Sequence, residues 1–349
     1  MRFHPRHIFN MMAAATAAVI MASCSHDKIE AGARISLSAN LQSQTRGVIA
    51  SADAIKFDGA AFGVYGYKSF NSLDQLIFNN VKVSYSESST DWSYTPKKYW
   101  DRNAYYHYLA YWPYGLNVSN NNTDHILTIS DIPNWQQADS DAIDVMLAYS
   151  QMRAVDYLNE NGGEVRFTFN HMLAQIVIKA WYFGNKNKKP YITGLSVGSA
   201  AKPVAEEGGT TVIRQKYSDI FDPVYSGPTT SGDATLLTSA SGDAVEQYFD
   251  TEDEGAASTQ RTTMCTWMVI PFGSDATAGV PLAISYKLGE NGTARNFTAN
   301  DVPLGKLQAG NTYVATLKFD TKGDVVNLEG IIVRKWTTGE DLNKEVYNW

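Results

Sequence analysis

Alternation of apolar and polar positions is the most regular pattern in the chain. In residues 34–46 (RISLSANLQSQTR), Ile35, Leu37, Ala39 and Leu41 alternate with Ser36, Ser38, Asn40 and Gln42. That is the period of a strand with one apolar face. Residues 57–69 (FDGAAFGVYGYKS) carry Phe57, Phe62, Val64, Tyr65 and Tyr67 punctuated by glycines, and residues 79–87 (NNVKVSYSE) alternate Val81, Val83 and Tyr85. Strand character continues in HILTIS, EVRFTFN, AQIVIKAWYF, TVIRQKY, TWMVIPF, LAISYKL, NTYVATLKFD and EGIIVRKW. Gly, Asn, Asp and Pro clusters separate these runs. The only candidates for short helices are residues 141–152 (DAIDVMLAYSQM) and the stretch near Val155. Strands and helices do not alternate as a parallel sheet requires. The predicted class is all-β, with two tandem β-sandwich domains. The turn-rich NENGG at 159–163 is the expected break, giving residues 47–163 and 164–349. Residues 226–247 and 250–260 read as a polar insertion in the second domain.

Residues 94–115 (YTPKKYWDRNAYYHYLAYWPYG) are dense in aromatic rings. Alternation puts Tyr106, Tyr108, Ala110 and Trp112 on one side, and Tyr105, His107, Leu109 and Tyr111 on the other. Both sides are mostly aromatic or apolar, as in a strand buried on both faces. A platform for stacking on sugar rings needs only two or three exposed rings, so core packing is the stronger expectation.

The first residues form a leader. Arg2 and Arg6 precede the apolar run MMAAATAAVIMAS, which is shorter than the roughly 20 residues of a membrane span. The run closes on Ala22, Ser23 and Cys24, a lipoprotein processing pattern in which the Cys24 thiol receives the lipid; residues 1–23 are then removed and residues 24–46 become a leader with a removable strand. The formal net charge of the chain is −7, and losing Arg2 and Arg6 makes it more negative. A phosphate-binding surface needs clustered Lys and Arg, so nucleic acid is not an expected partner. With Cys24 lipidated, Cys265 has no second thiol for a disulfide or a cysteine metal site and is expected to be a buried small residue.

Catalytic and metal signatures are missing from the sequence. His4, His7, His26, His107, His125 and His171 show no ligand spacing. His171 is expected to be a hydrogen-bonded structural residue. Asp139, Asp141 and Asp144 lack the glycine and distal glutamate of a calcium loop and suggest a capped helix start. The acidic run 252–254 reads as a solvated loop. There is no phosphate-binding glycine loop, nucleophile elbow or Cys/His pair for catalysis. No cofactor, metal or enzymatic activity is expected, although paired carboxylates on distant strands stay open.

Eight segments in order resemble the fimbrillins, lipoprotein subunits of type V pili that include the Mfa-like proteins. They are the leader ending at Cys24, Thr45–Arg46–Gly47, FDGAAFGVYGY, YWDRNAYYHYLAYWPYG, DAIDVMLAYS, VRFTFNHMLAQIVIKA, LQAGNTYVATLKF and GIIVRKWTTGE. The resemblance implies transthyretin-like Greek-key sandwiches and assembly by strand exchange. It also implies an Arg-specific, trypsin-like protease that cuts after Arg46, leaves Gly47 as the new terminus and frees the strand of Ile35, Leu37, Ala39 and Leu41. Stalk subunits of the family donate a C-terminal strand, for which Val326, Leu328 and Ile332, of one parity, are the candidates here. Implied partners are other fimbrial subunits, the protease, an outer-membrane lipid anchor and a host or bacterial surface receptor, at a surface fimbrium. The alternative is a glycan-binding surface lipoprotein or adhesin that does not polymerise; an anchored hydrolase has only abundant carboxylates in its favour.

Overall fold

The computed structural model describes residues 32–41, 55–70, 73–139, 142–217, 221–249, 261–273 and 279–336. Cys24, Arg46, Gly47, the leader, the acidic run 252–254 and the last residues of the chain lie outside them. In chain order the first half contributes β1 (Ser36–Leu41), β2 (Ala61–Phe70), β3 (Leu73–Ser86), β4 (Asp91–Ser93), β5 (Tyr105–Trp112), β6 (Asn117–Asn121), β7 (Ile126–Pro133), β8 (Trp135–Gln137), β9 (Met146–Arg153), helix α1 (Ala154–Asn161) and β10 (Glu164–His171). The second half contributes β11 (Ala174–Phe183), β12 (Pro190–Gly198), β13 (Thr210–Lys216), β14 (Val224–Tyr225), β15 (Asp233–Ala244), β16 (Tyr248–Phe249), β17 (Thr262–Val269), β18 (Val280–Leu288), β19 (Arg295–Val302), β20 (Asn311–Asp320) and β21 (Val325–Lys335). The protein is all-β, as its alternation predicts.

One seven-stranded sheet runs β1-β10-β9-β5-β2-β3-β4. It wraps its own core, built from Phe62, Val64, Phe78, Tyr106, Tyr108, Phe167 and Phe169 together with Ile35, Leu37 and Ala39. The two ends of the sheet meet, since β1 lies beside β4. In the second half, the sheet β21-β20-β11-β17-β8, with β16 on β11, faces the sheet β15-β12-β18-β19. Ile176, Ile178, Leu317 and Phe319 from one side meet Ile192, Leu195, Leu282 and Ile284 from the other.

The fourth sheet, β14-β13-β7-β6, joins strands of both halves. It covers the second face of β2 and β5, where Tyr65, Tyr67, Leu109 and Tyr111 pack with Leu127, Ile129, Ile213 and Met268. The division expected at residue 163 therefore moves. The NENGG turn does end α1, with Gly162 and Gly163 at φ 63° and 84°, but the chain re-enters the same sheet as β10. The crossing to the second body comes after His171, and β7 and β8 pair with β13 and β17 of the second half. A polar turn marks a reversal of the chain, and a reversal need not be a boundary.

Two further expectations change. Residues 141–152 hold no helix among those described: Met146–Arg153 is β9, paired on both sides by β5 and β10. Leu and Ala favour helix weakly, and burial between two strands overrides that preference. The helix near Val155 is present as α1. The apparent polar insertion contains β15, twelve residues long, which sends Ala234 and Leu236 into the core. Its small residues hide the alternation.

The aromatic strand is buried on both faces, and parity sorts its side chains between two cores. Tyr106, Tyr108, Ala110 and Trp112 enter the first, and Leu109 and Tyr111 the shared one. Trp100 and Trp112 are 5% and 9% exposed, so neither of these two rings can stack on a sugar. The glycine-spaced strand beside it is its complement: Gly63 pairs with Tyr111 and Gly66 with Tyr108. A Cβ at Gly66 would lie 2.6 Å from Tyr108 Cδ1, and one at Gly63 would enter the Tyr111 ring. The glycines are where the tyrosine rings lie.

Burial sets the titration of this core. Desolvation pushes the phenols of Tyr108 and Tyr217 well above their ordinary value and raises those of Tyr111 and Tyr157. Cys265 is buried, as expected. Desolvation pushes its thiol up from 9.0 to about 12. Because the folded value is the higher one, the unfolded chain gives up this proton first. The thiol therefore leaves stability unchanged below about pH 9, and stability falls as pH rises from there toward 12. Alkylation of the Cys265 peptide at pH 8.5 is expected to be slower by a factor of about 100 or more in the folded protein than in guanidinium, by mass spectrometry. Equal rates would contradict the burial.

Candidate functional site

Strand β1 is the element with the most distinctive setting. It pairs with β10 in parallel, Ser36 to Leu41 against Glu164 to Phe169. The other described pairs of that sheet are antiparallel. Antiparallel neighbours can be joined by a tight turn, whereas a parallel pair needs a long crossover. No hairpin therefore ties β1 to its partner, which lies more than a hundred residues away in sequence. Alternation then does what it predicts: Ile35, Leu37 and Ala39 are 0%, 3% and 0% exposed, and Leu41 takes the backbone position opposite Phe169.

The opposite wall is residues 94–100. Ile35 N–H donates to Lys98 O at 2.9 Å and Trp100 N–H to Ala33 O at 2.9 Å, around an antiparallel bridge from Arg34 to Tyr99. The Tyr94 hydroxyl donates to Ile35 O at 2.7 Å, inside the core. Trp100 Nε1 donates to Gly163 O at 3.1 Å and its ring stacks on Tyr157 at 4.9 Å, while Ser36 N–H reaches Gly163 O at 3.2 Å. β1 thus fills a slot between β10 and the 94–100 segment and closes the rolled sheet. Two buried rings of the aromatic stretch, Tyr94 and Trp100, are parts of its wall. Pattern reading of the sequence treated them as core and missed that second role, because the wall exists only when 94–100 meets 33–36.

The family model described as fimbrillin-like matches residues 45–336. The chain belongs to the fimbrillin-like family. Its fold is similar to a fimbrial protein of Bacteroides vulgatus, at 18% identity and a TM-score of 0.58, covering 87% of this chain and 99% of that one. It is also similar to a candidate cell-adhesion protein of Bacteroides uniformis, at 18% identity and a TM-score of 0.50, covering 87% and 98%. The tip fimbrial protein Mfa3 of Porphyromonas gingivalis matches at 8% identity and a TM-score of 0.38, covering 87% and 100%. No curated protein matches the chain.

The C-terminal candidates of this fimbrillin-like chain sit in β21, the outer strand of its sheet, paired with β20. Val326 is buried in the second core, and Leu328 packs on that core. Ile332 does not share their face. Leu328 pairs with Leu317, and Gly330 with the adjacent Thr316, so Glu329 is an extra residue. One bulged residue flips every later side chain. Ile331, not Ile332, continues the core-facing row. The displaced Glu329 carboxylate pairs with the buried Arg261 guanidinium at 3.1 Å, which is what the bulge accommodates.

His171 is the structural histidine that the sequence suggests, with partners that the sequence does not show. Its Nδ1 lies 2.9 Å and 3.0 Å from the two carboxylate oxygens of Asp144. Its ring stacks on Trp336 at 4.5 Å and 8°. Asp144 is therefore a histidine partner and not a helix cap; no helix follows it. This cluster ties the end of β10 to the end of β21. Asp144→Ala is expected to cost about 1–3 kcal/mol in chemical denaturation, since it leaves a mostly buried ring nitrogen without its charged partner. A change below about 0.5 kcal/mol would show the contact to be incidental.

His107 and His125, far apart in sequence, line one small cavity of about 30 Å³ with Asp74, Tyr67 and Tyr217. That is room for ordered water and too little for a larger ligand. Among the described residues no group of three or more His, Cys, Asp and Glu could hold a metal ion.

Proposed function

We propose that this fimbrillin-like chain is a subunit of cell-surface fimbriae that contributes to adhesion. It is exported with a lipid on Cys24, cut after Arg46, and assembled when a strand from another subunit replaces β1. The observation that carries this reading is the slot: a terminal strand, in parallel register, with three buried side chains and hydrogen bonds to two walls.

The energetics favour exchange after cutting. Ile35 and Leu37 each contribute about 1.5–3 kcal/mol by burial. Fixing each residue of the strand costs about 1–2 kcal/mol of backbone entropy. The two scales are similar, so continuity with the rest of the chain matters, because a tethered segment acts at an effective concentration in the millimolar range. A cut at the Arg46–Gly47 bond removes that tether. β10 then has an open edge along six ladder positions beside apolar pockets, and a strand that supplies alternate apolar side chains can add there. Because β1 is the terminal strand of its sheet, it can leave without unthreading another element. The family match begins at residue 45, beside that bond and after β1. The described part of the C-terminal segment forms β21 on its own sheet, so a donor role for Val326, Leu328 or Ile332 requires β21 to detach from β20.

The test treats the purified precursor with an Arg-specific protease and identifies the new terminus by mass. The expected product starts at Gly47 and forms a ladder on unheated SDS gels. A precursor that resists cutting near Arg46, or a cut product that stays monomeric, removes the assembly reading. Mass analysis of protein extracted from the cell surface reports the lipid on Cys24 directly.

A further inference from the structure

We infer that this chain binds an acidic sugar, a saccharide unit bearing a carboxylate or a sulfate, in an open cleft at the end of the first body that carries α1. The cleft is separate from the slot's apolar interior, and binding there does not depend on strand exchange.

Three distant segments build it: Ser69 and Phe70 at the end of β2, Arg102, Asn103, Ala104 and Tyr105 before and at the start of β5, and Arg153 and Val155 where β9 passes into α1. Its volume is about 570 Å³, inside the range of small-molecule sites. Two guanidinium groups, two aromatic rings, a hydroxyl and a carboxamide line it, and no carboxylate does. On a chain of formal net charge −7, two guanidinium groups share this one lining. Two carboxylates lie behind this lining, each bonded to one of its residues. Asp101 pairs with Lys68 at 3.3 Å and accepts from Asn103 N–H at 3.3 Å, and Asp74 accepts from the Ser69 hydroxyl.

Two features are poor choices for folding alone. Phe70 is 48% exposed, as Phe57 and Tyr99 are to a slightly greater degree elsewhere, but here the ring shares its lining with two arginines. Arg153 occupies the residue that starts α1 and makes no side-chain cap, so it sets a cation at the positive end of the helix, the unfavourable sign. Local rules broken without a gain to the fold concentrate at functional positions.

The arginines also stand on fixed backbone. Asp101 N–H donates to the buried Tyr106 hydroxyl at 2.8 Å. Ala104 N–H donates to Asp101 O at 3.1 Å, and Ala154 N–H to Ala104 O at 3.0 Å. The turn carrying Arg102 and the junction carrying Arg153 are thereby joined, which lowers the ordering cost of a ligand that touches both.

The lining chooses the ligand class. A guanidinium fork matches the oxygens of a carboxylate or sulfate. The rings of Phe70 and Tyr105 suit the C–H face of a pyranose, and Asn103 with the Ser69 oxygen can meet its hydroxyls. A phosphorylated peptide would use the arginines but has no ring face for Phe70.

The uncut full chain is titrated with sialyllactose, a glucuronate disaccharide and a sulfated disaccharide, with lactose and a phosphoserine peptide as comparators. At least one acidic saccharide is expected to bind at least about 10-fold more tightly than lactose, and more weakly as salt rises. Arg153→Ala is expected to lose about 10-fold or more, Phe70→Ala several-fold, and Arg153→Lys to keep part of the affinity. Both side chains are exposed, so unchanged melting temperatures establish that the variants fold. No acidic-saccharide binding, equal binding of lactose, tighter binding of the phosphopeptide, or indifference to both substitutions overturns the proposal. Because the precursor is used uncut, none of these results bears on maturation or assembly.

Discussion

Leu37→Asp is expected to destabilise the first body by about 4 kcal/mol or more, whereas Ser36→Asp, one residue away, should change stability by no more than about 0.5 kcal/mol. The contrast follows from alternation: neighbouring residues of a strand point to opposite faces. Leu37 is 3% exposed within the rolled core and opposite Val165, while Ser36 is solvent-facing. A carboxylate at 37 would face Phe and Tyr rings, with the apolar burial lost as well. Denaturant unfolding followed by tryptophan emission reads both variants, since Trp100 is bonded to Ala33 at the start of the strand. Two equal, small effects would mean that β1 lies outside the cooperative core, and the slot would have no role in assembly.

Gly63→Ala is expected to be nearly as damaging, at about 3 kcal/mol, because its Cβ would enter the Tyr111 ring. That ring cannot swing away easily: it is fully buried, and its hydroxyl donates to Asn80 at 2.5 Å. The sharper form of the prediction is a double-mutant cycle. Tyr111→Ala alone should cost about 3–5 kcal/mol. On that background Gly63→Ala should cost little, giving a coupling energy of about 2 kcal/mol or more. Four denaturation curves decide it. Additive effects would show that the glycine serves the turn of the backbone and not the ring.

These two experiments probe different layers of legibility. The strand character of residues 35–41, and which of its side chains face inward, follow from alternation alone. So does the two-sided burial of Tyr106, Tyr108, Leu109 and Tyr111. The reason for the glycines at 63 and 66 required the register of β2 against β5. Misreadings arose where a local signal had two meanings. Residues 146–153 have helix-compatible composition but are a strand enclosed by β5 and β10. The small residues of β15 concealed an inward row at Ala234 and Leu236. A numerical parity joined Ile332 to Leu328, and the bulge at Glu329 separated them.

The sequence by itself determined that this is an all-β chain with a double-faced aromatic strand and an amphipathic ribbon before Thr45; its ordered motifs carried the resemblance to fimbrillins. Alternation, turn residues and ring content are properties of neighbours along the chain, set by backbone geometry, and they survive without knowledge of the partner. Tertiary structure alone decided that β1 lies parallel to β10, that residues 94–100 form the second wall, that β6 and β7 join β13 and β14, and that Arg102 and Arg153 share a cleft with Phe70. Those are choices among many pairings with similar local patterns. They are settled by burying all the apolar faces at once while leaving few backbone groups unpaired, a condition on the whole molecule that no short stretch of sequence contains.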